Sequence, residues 1–543
     1  MNKRKNTRQQ AKPKQADIQR SSDEKQRQRK LSLPLIPLPL FIFVLTWIWA
    51  SWWMGDVGRI ARERSFFTTD PTVMHFLWQQ TFGTLWFAGR ALLTLFRWPW
   101  LGGAVVAAIL SIGSWLIGYG LHLRPRWQWA SFLPAAAWMS WVAWSGFELY
   151  FLHESGRHLG ILILGFAMAV ILAMGNFLFT RIRKKPSTSP VASPTGWKTA
   201  GVGLFLTCAL CAVPVTMTAL RHPYLRPVTR MEVQMLHQDW QGMAETARQH
   251  ATLSYRPLAA YYAIALTRTG RLADDLFLIR LDYDSLYLRG YDNTPNNGTY
   301  YYQTDCNYHA GLFRVAEHNA MELLTMEGPS LYALKHLSRL ALLHGDYNLA
   351  RKYLDIISLE PFESAFVQKY EAMLPPNPSD ELVAADPEFA AVRLTEPLSD
   401  CFENQYQQPS FLGYTAVLLE GRSMQALQLS LMANLYSKRM PDFLMRCEPL
   451  IGQTLPNSIA EGIVTQVPKE PMILKAFPNL QMESQRFMFF LQNIQTYLKD
   501  RPTYARQLFD EYKGYYPYYY FFGNLKATHK REEKDNPSKA GVN

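Results

Sequence analysis

Cysteine is scarce in this sequence: five among 543 residues, too few for a disulfide-dense secreted scaffold. The signatures of common catalytic centres are missing as well. There is no Gly-x-Ser-x-Gly elbow for a nucleophilic serine, no Walker glycine loop for a nucleotide phosphate and no His-Glu-x-x-His helix for zinc. No stretch alternates polar and apolar residues for long enough to build a sheet, so an all-α fold is expected. Charged residues make up only 18%, against 48% hydrophobic and 14% aromatic, and a chain of that make-up is not mostly disordered. The surplus of 12 positive charges is absent from where a nucleic-acid binder needs it. Residues 1–33 hold 11 basic and 3 acidic side chains, residues 34–220 hold 13 and 5, and residues 221–543 hold 32 and 36. The large C-terminal part is mildly acidic and a poor phosphate binder, so no nucleic-acid partner is expected.

Long apolar runs are what the first half does contain. A hydrocarbon core ~30 Å thick needs about 20 apolar residues in a helix. Leu35–Met54, Leu101–Leu121, Trp127–Leu152, Leu159–Thr180 and Thr199–Leu220 meet that need, predicting a transmembrane bundle over 34–220 with about five spans. The first run leaves through Trp47-Ile-Trp-Ala-Ser-Trp-Trp, which lacks the small-x-small cleavage pattern, so it reads as an uncleaved anchor behind a disordered basic tail, 1–33. Residues 74–98 are different. Trp78, Phe82, Leu85, Leu93 and Phe96 recur at helical spacing, opposite a face with Gln79, Gly83, Arg90, Thr94 and Arg97. An Arg in mid-span costs at least ~2.5–3.5 kcal/mol, so a helix lying in the membrane interface is expected there.

Loop charges set the orientation. With five spans the cytoplasm receives 18 basic residues, from the tail, Arg124, Arg126 and the cluster from Arg181 to Lys198. Positive charge favours that side, which places the N-terminus inside, the C-terminus outside, and membrane lipids around the bundle.

From 221 to 524 the long runs give way to amphipathic helical periodicity, followed by a charged, disordered tail at 525–543. Turns between antiparallel helices are expected at Gln238-Asp239-Trp240, Gly270-Arg271-Leu272, Gly345-Asp346-Tyr347 and Gly421-Arg422-Ser423. In the clearest copy Leu337 and Ala341 precede the turn, Ala350, Leu354 and Ile357 follow it, and Pro361 closes the unit. Small residues let two helices approach, Gly permits the turn, and Pro cannot continue the helix. This pattern resembles the tetratricopeptide repeat, which implies stacked helix pairs presenting a surface to a protein or peptide partner. Residues 281–305 and 374–410, rich in turn formers and proline, read as breaks, and Tyr515-Tyr-Pro-Tyr-Tyr-Tyr-Phe-Phe reads as a cap on the last helices.

Searching for chemistry yields little. Cys306 and His309 stand three apart, with Glu317 and His318 beyond, but structural zinc wants a second close pair and Cys401 and Cys447 are isolated. No metal and no cofactor are expected. Cys306, Cys401 and Cys447 leave one disulfide open, without a pairing. Cys208 and Cys211 sit one turn apart in a span as small packing residues. No catalytic residue is assigned on the leading reading. One constellation supports an alternative: Asp56 directly after the first span, then Arg59 and Arg62, with Arg90, Arg157 and Glu154 on the same side. A surface carboxylate as base and guanidiniums holding a phosphate suit transfer from a lipid-linked donor. That layout is similar to membrane glycosyltransferases using polyprenyl-phosphate sugars, although those have more spans and a paired acidic motif that Asp56 lacks. As a whole the chain resembles uncharacterised bacterial multi-pass inner-membrane proteins with a tetratricopeptide-like extracytoplasmic domain, which implies a scaffolding or binding role in the cell envelope rather than an enzyme.

Overall fold

A computed structural model describes residues 38–146, 156–182, 197–281, 298–398 and 421–523. It is all-α: among the described residues the sole extended pairing is an isolated bridge between Pro397 and Gly421.

Among the described residues three helices are long and apolar enough to cross a membrane: Pro99–Gly120, Arg157–Ile182 and Gly201–Arg221. A fourth crossing is available if the first apolar helix, running to Trp53, is joined with Gly55–Glu63, into which it bends by 59°. Among the described residues five full-length spans are not present. The run expected to cross at 127–152 forms a 3-10 stretch, Pro125–Phe132, and then a helix of 13 residues, Leu133–Ser145. The cause is local. Pro125 and Pro134 each supply no N–H and reset the helix start, and Gly146, at φ 62°, ends it in a left-handed cap. Thirteen residues reach about 20 Å, short of the hydrocarbon thickness.

Contacts fix the directions. Gly113 faces Phe166 and Gly120 faces Leu172, so Pro99–Gly120 and Arg157–Ile182 run the same way. Ser111 donates to the Pro39 carbonyl while Gly103 abuts Ser51, so the first helix runs against them. Ser145 Oγ lies 2.9 Å from His158 Nε2, and Arg221 Nε donates to the Trp144 carbonyl at 3.1 Å. One end of the bundle therefore gathers Trp53, Ser145, Arg157 and Arg221; the other gathers Gly120, Arg124 and Arg181. Exposed Trp52, Trp98 and Trp100 rim the first end, and exposed Trp115, Tyr119 and Trp127 the second. Trp100 and Tyr119 are separated by about 28 Å of helix, the spacing of two aromatic belts.

The expected interfacial helix at 74–98 is broken. Pro71–Trp78, capped by the Asp70 carboxylate on Thr72 N at 2.9 Å, gives way at left-handed Phe82 (φ 65°) to Gly83–Thr94 and a 3-10 turn, Leu95–Arg97. Gly83–Thr94 packs backbone to backbone on the start of Arg157–Ile182: a Cβ on Gly89 would sit 2.0 Å from the Gly156 carbonyl oxygen. Arg90 is 2% exposed, turned inward rather than toward an interface.

Beyond 221 the helices pair in chain order: Leu225–Leu236 with Trp240–Gln249, Gly298–His309 with Phe313–Glu327, and Leu331–His344 with Tyr347–Ser358. Three expected turns are present, at Gln238 (φ 57°), Gly270 (φ 71°) and Gly345 (φ 78°). At the fourth, Ser423 caps Met424–Ser437 through Ala426 N at 3.0 Å, and the segment before Gly421 lies outside the described residues. Two further turns, at Gly311 (φ 76°) and Lys438 (φ 57°), carry no Gly-Asp-type signal. Leu337, Ala341, Ala350, Leu354 and Ile357 are all buried between these helices. Neither expected break is wholly irregular. Residues 298–305 are helical, and Ser379–Ala385 and Pro387–Arg393 lie within the proline-rich stretch, burying Phe389 and Val392. The aromatic end caps the array: Tyr516–Phe522 is helical, with Tyr516 buried and 5.1 Å ring to ring from Phe277.

Packing does not respect a boundary at residue 220. Phe66, Met74, Leu77 and Trp86 share one core with Tyr308, Leu334 and Leu337 of the helical part.

Candidate functional site

The site grows from the end of Gly55–Glu63. Val57, Ile60 and Ala61 bury that helix by ordinary amphipathic spacing, but Arg62, Glu63 and Arg64 are buried too. Charges without water must find partners. Arg62 Nη1 lies 2.9 Å from Glu63 Oε1, and Nη2 lies 2.5 Å from Glu363 Oε1. Lys335 Nζ bridges Glu63 Oε2 at 2.8 Å and Glu363 Oε2 at 2.9 Å, and Arg97 reaches Glu363 at 3.1 Å. Glu360 accepts the Phe67 N–H, and burial pushes its carboxyl up to about 8. This cluster ties the bundle end to the helical part.

Beside it opens a crevice of about 70 Å³, lined on one side by Ile60, Glu63 and Arg64 and on the other by residues from five helical-domain helices. Glu232 shares the inward face of Leu225–Leu236 with Val228 and Met231, and Arg64 Nη2 meets its two oxygens at 2.9 and 3.1 Å. The Tyr261 hydroxyl lies 3.2 Å from Glu232 and 3.0 Å from Asp305. One hydroxyl proton cannot serve two carboxylates. Burial, with the Asp305 charge adding to it, raises Glu232 to about 7, so near neutrality Glu232 alternates between holding a proton and releasing it. His336 Nε2 lies 3.2 Å from Asp305, while its buried Nδ1 has no hydrogen-bond partner among the described residues. Across the crevice Glu388 accepts the Tyr308 and Tyr370 hydroxyls at 3.0 Å each and pairs with Arg339 at 3.0 Å, which holds it below the usual carboxylate range despite burial. His309 is kept neutral by burial and by Arg268, whose Nη2 is 3.1 Å from its Nδ1. Carboxyls, guanidiniums and phenol rings converging on one small space can orient a polar molecule and exchange a proton with it.

The described residues among those singled out from sequence do not converge on this crevice. Arg62 is spent in the ion cluster. Arg59 donates to the Arg97 carbonyl at 2.6 Å, and Arg90 donates to the Phe66 carbonyl at 3.3 Å. Arg157 lies 5.9 Å over the Trp141 ring. Asp56 feels the guanidiniums of Arg230, Arg226 and Arg59. Glu154 lies outside the described residues, as does Cys401. None of the five described residues among these candidates lines the crevice. Cys306 and Cys447 are buried, and burial pushes the Cys447 thiol up to about 12; Cys208, Cys211 and Cys447 are free thiols. Among the described residues no three His, Cys, Asp or Glu side chains group as metal ligands. Sequence reading passed over Glu232, Asp305, His336, Arg339 and Glu388. The one available signal was a carboxylate in phase with an apolar stripe, Leu225-Val228-Glu232.

The family of unknown function DUF6057 matches residues 159–523. The chain belongs to that family. No curated protein and no solved structure matches the chain. The matched span takes in Glu232, Asp305, His336, Glu363 and Glu388, and starts after Arg62, Glu63 and Arg64, so the cluster and the crevice are each completed by residues that precede it.

Proposed function

We propose that this DUF6057 member is a multi-pass bacterial inner-membrane protein that holds a tetratricopeptide-like helical domain outside the cytoplasm, where it binds a protein or peptide partner of the cell envelope. The observation that carries the reading is the buried ion cluster. Arg62, Glu63, Lys335 and Glu363 fasten the helical domain to one end of the bundle, which suits presentation of a surface at a fixed height above the membrane. Orientation is supported by charge: Arg124 and Arg181 stand at the opposite end, together with the basic tail in sequence. Consecutive helix hairpins supply an extended surface of the kind that holds peptides, and exposed Met482 and Phe489 on Gln481–Ile494 add an adaptable apolar strip.

The test is site-specific photo-crosslinking in intact membranes, with the reactive residue at Met482 or Phe489 and, for comparison, at Arg181. A discrete protein adduct from the helical-domain positions alone supports the reading. Adducts to lipid alone from every position sink it.

A second reading, transfer from a lipid-linked sugar or phosphate donor, is favoured by one observation, the placement of Asp56 among Arg230, Arg226 and Arg59 at the bundle end. Asp56→Asn separates the two: an unchanged envelope phenotype argues for scaffolding.

A further inference from the structure

Two guanidiniums at the domain end of the bundle stand apart from the buried ion cluster. Arg226 and Arg230 stand one turn apart on Leu225–Leu236, just past Arg221, the last residue of Gly201–Arg221. Among the described residues neither makes an ion pair or a side-chain hydrogen bond. Arg226 does have a seat: its guanidinium lies 3.7 Å from the Trp53 ring centroid and 5.9 Å from that of Trp52. Stacking occupies the face of a guanidinium and leaves its in-plane N–H donors free, in the fork that matches two oxygens of a phosphate. Trp52 is 73% exposed, Trp100 60% and Leu220 85%, so the fork opens at the rim where apolar helix surface ends. Asp56 interacts electrostatically with both arginines and cancels part of their charge, leaving a positive surplus of the size that one phosphodiester neutralises.

We infer that Arg226 and Arg230, with Trp52 and Trp53, form a binding site for the phosphate headgroup of an anionic phospholipid in the leaflet next to the helical domain. The tryptophans seat against the glycerol and upper acyl region while the guanidiniums hold the phosphate. The inference rests on the membrane placement proposed above and is independent of whether the domain scaffolds or transfers. Such a site pins the first residues of the helical domain to the lipid surface.

Native mass spectrometry of the full-length protein, released from detergent with phosphatidylglycerol, phosphatidylcholine or inorganic phosphate, tests it. At about 1 kcal/mol per surface Arg, the double variant R226Q/R230Q is expected to retain phosphatidylglycerol about 10-fold or more less well than the native chain, with phosphatidylcholine retention unchanged. R226K/R230K keeps the charge but loses the fork, and falls between. The exposed single variant R230Q, which leaves the Arg226 stack intact, gives a partial loss even if the double variant misfolds. Equal phosphatidylglycerol retention in all variants overturns the site. Inorganic phosphate binding as tightly as the lipid overturns the lipid as its occupant. Fractionation distinguishes failure of the premise: a chain recovered from cells without detergent, in the soluble fraction, overturns the membrane placement instead.

Discussion

Arg62 Nη2 lies 2.5 Å from Glu363 Oε1, across 301 positions of sequence, with both side chains sealed from water. The bond joins Gly55–Glu63 of the bundle to the residue that precedes Ser364–Glu371 in the helical domain. Lys335 and Glu63 complete a closed ring of alternating charge around it.

Removing one member of that ring leaves a buried charge without its partner, at a cost of about 3–5 kcal/mol. Glu363→Gln and Arg62→Met are each expected to lower the thermal midpoint of the detergent-solubilised protein. The pair R62M/E363Q is expected to cost less than the two single losses added together, in a double-mutant cycle.

Two buried carboxyls in this junction carry raised values, Glu232 at about 7 and Glu360 at about 8, against 4.5 for a free glutamate. The folded chain therefore binds more protons than the unfolded one between those limits. Their contribution is complete below about pH 4.5, declines as pH rises to 7 for Glu232 and to 8 for Glu360, and is flat above. Thermal midpoints taken across pH 4.5–8.5 are expected to fall with rising pH, and Glu360→Gln is expected to flatten the upper part of that slope. An unaltered slope in the variant removes Glu360 as the titrating group.

Tyr261→Phe deletes the hydroxyl shared by Glu232 and Asp305. Two buried acceptors lose a donor, at about 1–3 kcal/mol. Because that hydroxyl favours the ionised form of Glu232, its loss is expected to move the Glu232 step to higher pH. Carboxyl-selective infrared difference spectra, with Glu232→Gln as the assignment control, read the shift directly.

A methyl group on Gly89 would meet the Gly156 carbonyl oxygen at 2.0 Å, and backbone has nowhere to yield. Gly89→Ala is expected to broaden the size-exclusion peak and lower the midpoint by several degrees. Gly165→Ala, which meets nothing within 4 Å on its helix, is expected to be neutral or slightly stabilising.

The apolar runs at 101–121, 159–180 and 199–220 announced their helices because length and hydropathy act locally. At 127–152 the same composition misled, because Pro125, Pro134 and Gly146 set where the helix begins and ends, and they outweigh average hydropathy. Gly270 and Gly345 announced hairpins through a backbone requirement; Lys438 adopts the same left-handed turn without a glycine, and left no trace to read. Arg90 looked like an interface cation on a helical wheel, yet its helix packs inside, with Arg90 meeting the Phe66 carbonyl and the Phe76 ring. The crevice was illegible for a simpler reason. Arg64 and Glu232 are 168 positions apart, and Tyr261 and Asp305 are 44 apart, so no spacing rule brings them together before the chain is folded.

Sidedness is the claim on which the proposed role turns, and cysteine labelling measures it most directly. In a cysteine-free background, Asp380→Cys on the helical domain and Arg181→Cys at the far end of the bundle are exposed to an impermeant maleimide, in cells whose outer barrier has been opened. Asp380→Cys is expected to react at once, and Arg181→Cys only after the inner membrane is permeabilised. The reverse order, or equal reaction at both positions before permeabilisation, contradicts a helical domain held outside the cytoplasm.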